Sequence, residues 1–508
     1  MPAMIPIGEL QEKGKIIHEI KGYLPSAYAR YIDWNNIKEP QAIQYTSPEA
    51  MHAYNLAAIR SYVSTLANHD AIPRDAGEEI SQKLTRENVT FLSADEWESI
   101  LRHDVRGLVR ACQDKLSEKA TRWLYLGLTS YDVINTAQSA ALRDVAYELI
   151  IPEGVKLGNT MIRRAKEHRD TVIAGRTHRQ HAAATTVGHW IGETLDGYVP
   201  ALNLSADRTD ELKGKIQGFV GTRAAPHALF RDRINPRTLE TETLAKLGLE
   251  PSLISSQVLH PYHYAQYFFP FILLYGSMAK FANDVRNFQQ TEVGEIYEAR
   301  LSERVGSSTG ATKRNPITSE NIGGHWRQLK PKVISILDDY ITDFQRDLQD
   351  SANKRYYMNE VPQIVLHGIR STERIANNMT IRADRALQNL GVTQGLILGE
   401  PLQLYLQVHC AERGMNVDTH EHVRLLADRA IEDGEPFFEY MQRDSLVRGM
   451  LNEMHPEDKE MLLNPEKYLG TAKEDMDRAI GIWERDLDVL SNRAQAYKEM
   501  RLQRVKSS

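Results

Sequence analysis

Residues 137–170 read AQSAALRDVAYELIIPEGVKLGNTMIRRAKEHRD. Apolar side chains recur there at spacings of three and four, the period that lays one stripe along an α-helix. Pro152-Glu153-Gly154 interrupts the stripe, because proline removes a backbone donor and glycine adds backbone freedom. The same period returns over 186–217, 262–300 and 322–350, while alternating strand patterns are scarce. Helices of this length need neighbours along their whole span. The pattern therefore predicts an all-α, elongated long-helix bundle, and it favours oligomerisation.

The chain has 508 residues, enough for several domains around a large core. Four segments are expected: an extension over 1–40 rich in Tyr, Pro and Lys, an N-terminal helical domain over 41–131, a central long-helix domain over 132–385, and a C-terminal domain over 386–508. The last is built of shorter amphipathic helices separated by glycine and proline, with a charged tail expected to fray. Hydrophobic residues make up 42% and charged residues 26%, an ordinary globular balance. A formal charge of −6 argues against a general nucleic-acid binder. Cys112 and Cys410 lie far apart, so they form no metal-ligand spacing and no disulfide framework, and they suggest a reducing compartment. The N-terminus carries Glu9 and Glu12 and no long apolar run, unlike a signal peptide. The most apolar run, Tyr267 to Ala279, contains Pro270 and is too short to span a bilayer; it reads as a buried helix of a bundle or a subunit interface. A soluble cytoplasmic protein, with neither membrane nor nucleic acid as partner, is the expectation.

Four polar segments could carry chemistry. Residues 306–321, GSSTGATKRNPITSEN, run from a hydroxyl-rich loop into a Lys-Arg pair. Asn315 suits a helix N-cap and Pro316 the first helical position, so the segment offers hydroxyls, a cation and a helix N-terminus that favours anions. Thr129 and Asp132 have the spacing of a capping box, with Asp in place of the usual Glu or Gln. Alternatively, Ser130 and the free N–H groups of that helix start bind a carboxylate; both readings can hold. In Gly175-Arg176-Thr177-His178-Arg179-Gln180-His181 two histidines might suggest a metal, but no third ligand is near. A general acid or base fits better, since His titrates close to neutral pH. Over 345–355, Ser351 and Arg355 would share a helix face, whereas Arg346 would lie opposite in an unbroken helix. A break near Asp350-Ser351 would let the three converge on a dianion; without it the segment reads as a solvated charged face.

In order and spacing these segments resemble the fumarase/aspartase superfamily, most closely its adenylosuccinate lyase branch, from about Tyr45 to 445. Tyr45-Thr46-Ser47-Pro48-Glu49, Arg102-His103-Asp104-Val105, Gly127-Leu128-Thr129-Ser130-Tyr131-Asp132, Gly175-Arg176-Thr177-His178, Ser255-Ser256-Gln257, the 306–321 loop and Arg346…Ser351…Arg355 carry the resemblance. It implies a three-domain helical fold whose central bundle is completed by tetramerisation, with active sites shared between subunits. It also implies cofactor- and metal-free β-elimination of fumarate from a small succinyl-nucleotide in purine nucleotide biosynthesis. The implied catalytic residues are His178 as general acid, Ser307 as base, Lys313, and Glu320 orienting the His. The implied substrate-binding residues are Tyr45, His103, Asp104, Thr129, Ser130, Thr177, Gln257, Ser308, Asn315, Arg346, Ser351 and Arg355.

Three departures stand out. Gln44-Tyr45 replaces the family's usual Arg-Tyr, Pro261-Tyr262-His263 replaces Arg-Asp-Arg, and Gly310-Ala311 replaces Met-Pro. An argininosuccinate- or aspartase-type lyase of the superfamily, which needs no phosphate site, is the competing reading. A non-catalytic scaffold is the outside one.

Overall fold

The computed structural model describes residues 39–299, 309, 310 and 312–507. Helices dominate, as the apolar period predicts. The stripe over 137–170 lies on α1 (Ser130–Val145) and α2 (Ile151–Glu167), joined without a break by a π-helical turn, Ala146–Ile150. The interruption expected at Pro152 does not occur. Instead the Ile151 N–H bonds to the Ala146 carbonyl five residues back. The wider turn relieves the clash between the proline ring and the carbonyl four residues before it.

A hairpin follows, β1 (Val172–Thr177) and β2 (Gln180–Thr186), paired antiparallel. The long helices α3 (Val187–Asp210) and α4 (Tyr262–Phe288) complete one half of the bundle. The apolar run at Tyr267–Ala279 is the core of α4, with Tyr267, Phe268, Leu274, Tyr275 and Met278 fully buried. Among the described residues no helix is long and apolar enough to cross a membrane.

The helix expected over 322–350 is broken. Helix α5 (Ile317–Leu329) stops before Pro331, a short helix spans Lys332–Asp338, and α6 (Gln349–Asn378) starts afresh. A Cβ on Gly368 of α6 would meet the Tyr275 ring at 2.2 Å, so glycine is what lets α6 lie this close to α4.

The tail does not fray. It forms α7 (Ala472–Ser507), which packs on α2 and α3. Met476, Ile480, Trp483, Leu487, Leu490, Ala494 and Tyr497 are all buried, at alternating spacings of four and three, a heptad seam. The C-terminal segment therefore divides. A separate core of Leu402, Leu406, Leu426, Phe437, Met441 and Leu462 holds its middle part, while α7 returns to the bundle.

Candidate active site

Thr129 precedes α1, and its N–H donates to Asp132 Oδ2 at 2.9 Å, one half of a capping box. Asp132 does more than cap. Its wholly buried side chain accepts at Oδ1 from Lys215 Nζ (2.6 Å), the Gln217 N–H (3.0 Å) and the Gly218 N–H (3.1 Å). Lys215 is equally buried, and the Gln217 side chain bonds to Ser252 and Ser255 in turn. A buried carboxylate is tolerable only when so compensated. The network ties the loops around 215 and 255 to the helix start, and nothing local in the sequence signals it.

Gln257 follows directly. Its Oε1 accepts from Arg346 Nη1 at 2.8 Å, and its Nε2 donates to the Phe219 carbonyl at 3.1 Å. The Arg346 guanidinium lies over the Tyr131 ring, 3.9 Å from its centroid. Among the described residues no carboxylate pairs with Arg346, and its buried Nε has no acceptor. Arg346 precedes α6 rather than lying on it, so the helix starts slightly earlier than the break expected at Asp350-Ser351. Asp347 makes that start: its carboxylate accepts the Asp343 N–H (2.9 Å) and the Gln349 N–H (2.6 Å), bonds that hold it below the usual carboxylate range. Ser351, in the first turn, neighbours the Tyr131 phenol; burial pushes that phenol up, against the pull of Ser351 and Arg346. Arg355, one turn on, faces Glu98. Burial, then Asp104 and Asp95, raise the Glu98 carboxyl, while Arg355 and His103 oppose them. His103 caps the helix Asp104–Gln113. One end of the bundle thus gathers His103, Asp104, Thr129, Ser130, Gln257, Arg346, Ser351 and Arg355.

The remaining candidates stand elsewhere. His178 and Arg179 form the two-residue turn of the hairpin, with φ of 51° and 66°. Positive φ at both is what a tight turn between twisted strands needs, yet this dipeptide lacks the Asn-Gly signature that would betray it in sequence. Thr177 and His178 are exposed at the tip. Below them Arg176 is paired with the buried Glu295, which also accepts from Asn389 Nδ2 at 2.7 Å. The half-buried His181 imidazole is pushed down by burial and then by Arg176, with Glu295 opposing.

The start of α5 also differs from the sequence reading. Pro316 sits in the cap position and the helix begins at Ile317, so Asn315 is not the N-cap. Glu298 supplies the acceptors, taking the Thr318 N–H at 3.1 Å and the Ser319 N–H at 2.6 Å. This helix terminus, expected to hold a substrate anion, already holds a carboxylate. Gln289 stitches the two stems together, accepting from the Glu298 N–H (2.9 Å) and donating to the Arg314 carbonyl (3.0 Å). Lys313 and Glu320 are exposed nearby. Ser307 and Ser308 lie outside the described residues.

The two groups occupy opposite ends of the molecule. From Ser130 to Glu167 the helical stretches of 16, 5 and 17 residues cover about 57 Å at the usual rise. Helix α4, of 27 residues, separates Gln257 from Gln289 and Lys313 by about 40 Å. Tyr45 joins neither group. It is buried, its hydroxyl donates to Glu148 Oε2 at 2.6 Å, and burial followed by that carboxylate pushes its phenol up. Among the described residues no three His, Cys, Asp or Glu side chains form a metal-ligating group.

The chain matches the family described as lyase over residues 41–329. It is 31% identical to an adenylosuccinate lyase of Pyrococcus abyssi over 80% of this chain and 88% of the relative. An adenylosuccinate lyase of Methanocaldococcus jannaschii is 32% identical, covering 80% and 86%. Among solved structures, a fumarate lyase from a Mesorhizobium species superposes with a TM-score of 0.75 at 24% identity, over 87% of this chain and 97% of that one. A 3-carboxy-cis,cis-muconate lactonizing enzyme of Pseudomonas putida gives the same score and identity over 89% and 98%, a likeness of fold. The chain therefore belongs to the lyase family of the fumarase/aspartase superfamily, as a carbon–nitrogen lyase of the fumarate-releasing kind.

Proposed function

We propose that this enzyme eliminates fumarate from adenylosuccinate, leaving AMP, and from the succinylated aminoimidazole carboxamide ribotide of purine synthesis. It does so as a cytoplasmic homotetramer whose sites are shared between subunits. One observation carries the reading: the half-buried Arg346 guanidinium has only neutral partners, the Gln257 amide and the Tyr131 ring. A cation held without a counter-ion is stabilised by an incoming anion, and its fork matches a phosphate. Ser351 and Arg355 on the adjoining helix turns add a hydroxyl and a second cation. An argininosuccinate- or aspartase-type substrate would leave this arginine without a task, and the relatives named adenylosuccinate lyase support the same substrate.

In this reading Ser307 takes the proton from the carbon beside one carboxylate. The freed electron pair becomes the carbon–carbon double bond, the carbon–nitrogen bond breaks, and His178 protonates the leaving nitrogen. Glu320 orients His178. The dianionic aci-carboxylate formed on the way needs preorganised donors; Lys313 and Asn315 supply them, with Thr129 and Ser130 on the other carboxylate. His178 and Lys313 stand far from Gln257 and Arg346 within one chain, which favours a site completed by a second copy. Fumarate release from adenylosuccinate, with argininosuccinate and aspartate in parallel, tests the assignment. Silence on adenylosuccinate beside turnover of another succinyl compound would sink it.

A further inference from the structure

We infer that Tyr131 is the positioning residue of this anion site, its ring holding the Arg346 guanidinium so that the unpaired N–H groups face the ligand. The inference rests on the reading of Arg346 as a phosphate ligand. Arg346 projects from the irregular segment between Asp338 and Gln349, in which Ile341, Phe344 and Leu348 are all exposed. Backbone so weakly packed restrains a long side chain little, and an unrestrained arginine gives up rotamer freedom when it binds. Two contacts offset this: the bond to Gln257 and the stack on Tyr131 at 3.9 Å.

Tyr131 is suited to be the fixed member. It is 4% exposed, and it is the second residue of α1. Its neighbour Asp132 is locked by the buried bonds to Lys215, Gln217 and Gly218. The flat guanidinium is thus pressed on a rigid face, and ordering it beforehand raises affinity without any contact between Tyr131 and the ligand.

The test compares Tyr131→Phe, which keeps the ring face, with Tyr131→Leu and Tyr131→Met, which keep apolar bulk and lose it. Arg346→Gln serves as reference, and inorganic phosphate serves as a competitive inhibitor. In the Leu and Met variants the KM for adenylosuccinate and the inhibition constant for phosphate should rise about tenfold, the worth of a desolvated cation–π contact. Their kcat should stay near that of the parent. Tyr131→Phe should stay within about threefold on both, having lost only a neutral hydroxyl contact. If Arg346→Gln leaves phosphate inhibition intact, the phosphate reading itself fails. If Arg346→Gln abolishes inhibition while Leu and Met keep the parent's KM, or lower kcat alone, the role of Tyr131 is overturned and the phosphate reading stands.

Discussion

Two crippled variants, His178→Gln and Arg346→Gln, should regain activity when their subunits are combined. The helical run from Ser130 to Glu167 spans about 57 Å, and the hairpin that carries His178 begins beyond its far end. Even a six-residue strand folded straight back recovers only about 20 Å at ~3.3 Å per residue. Roughly 35 Å would remain between His178 and the Arg346 end, against the ~3 Å that proton transfer requires. One chain therefore cannot join both groups around one substrate, and every working site must take one end from each of two chains. With equal amounts of the two variants in a symmetric oligomer, about a quarter of sites receive two sound halves. Co-expression with different tags, separation of hybrids by the charge that Arg346→Gln removes, and fumarate formation at low adenylosuccinate would measure this. Activity in the hybrids no greater than the mean of the two parents would refute the reasoning, since it would mean that each chain holds a complete site.

Other expectations concern the supports of the site. Lys215→Met strands the buried Asp132 carboxylate and should cost about 3–5 kcal/mol, read as a fall in melting temperature that Asp132→Asn in the same chain partly reverses. His263 is pushed down to about 4 by burial, then by His260 and Lys213, with Glu211 opposing. Its neutral form therefore contributes stability above about pH 6.5, and that contribution is lost as pH falls through the folded value. Thermal melts of His263→Asn should accordingly lose less stability than the parent between about pH 7 and pH 5; equal slopes would count against it. Glu298→Ala removes the acceptor of two N–H groups at the start of α5 and should cost about 1–2 kcal/mol, with faster amide exchange at Thr318 and Ser319. Unchanged exchange there would show that the carboxylate is not the cap.

What the sequence by itself determined was whatever depends on residues close together along the chain. The helical period at 137–170, the buried character of Tyr267 to Ala279, the cap at Thr129 and the shared face of Ser351 and Arg355 are consequences of spacing and side-chain type, so they could be read directly. The heptad stripe from Met476 to Tyr497 was equally local, and its charged surroundings masked it. Only the tertiary structure decided the rest. Pro152 is accommodated because the turn before it widens, whereas Pro331 ends a helix; local pattern does not distinguish the two. Glu298 rather than Asn315 holds the start of α5, and Lys215 meets Asp132 across 83 residues of sequence. Above all, candidates that look like one site when read in a line are sorted to two ends of a bundle. The order of motifs along a chain records which chemistry is present; the lengths of the helices between them decide which of its parts can touch.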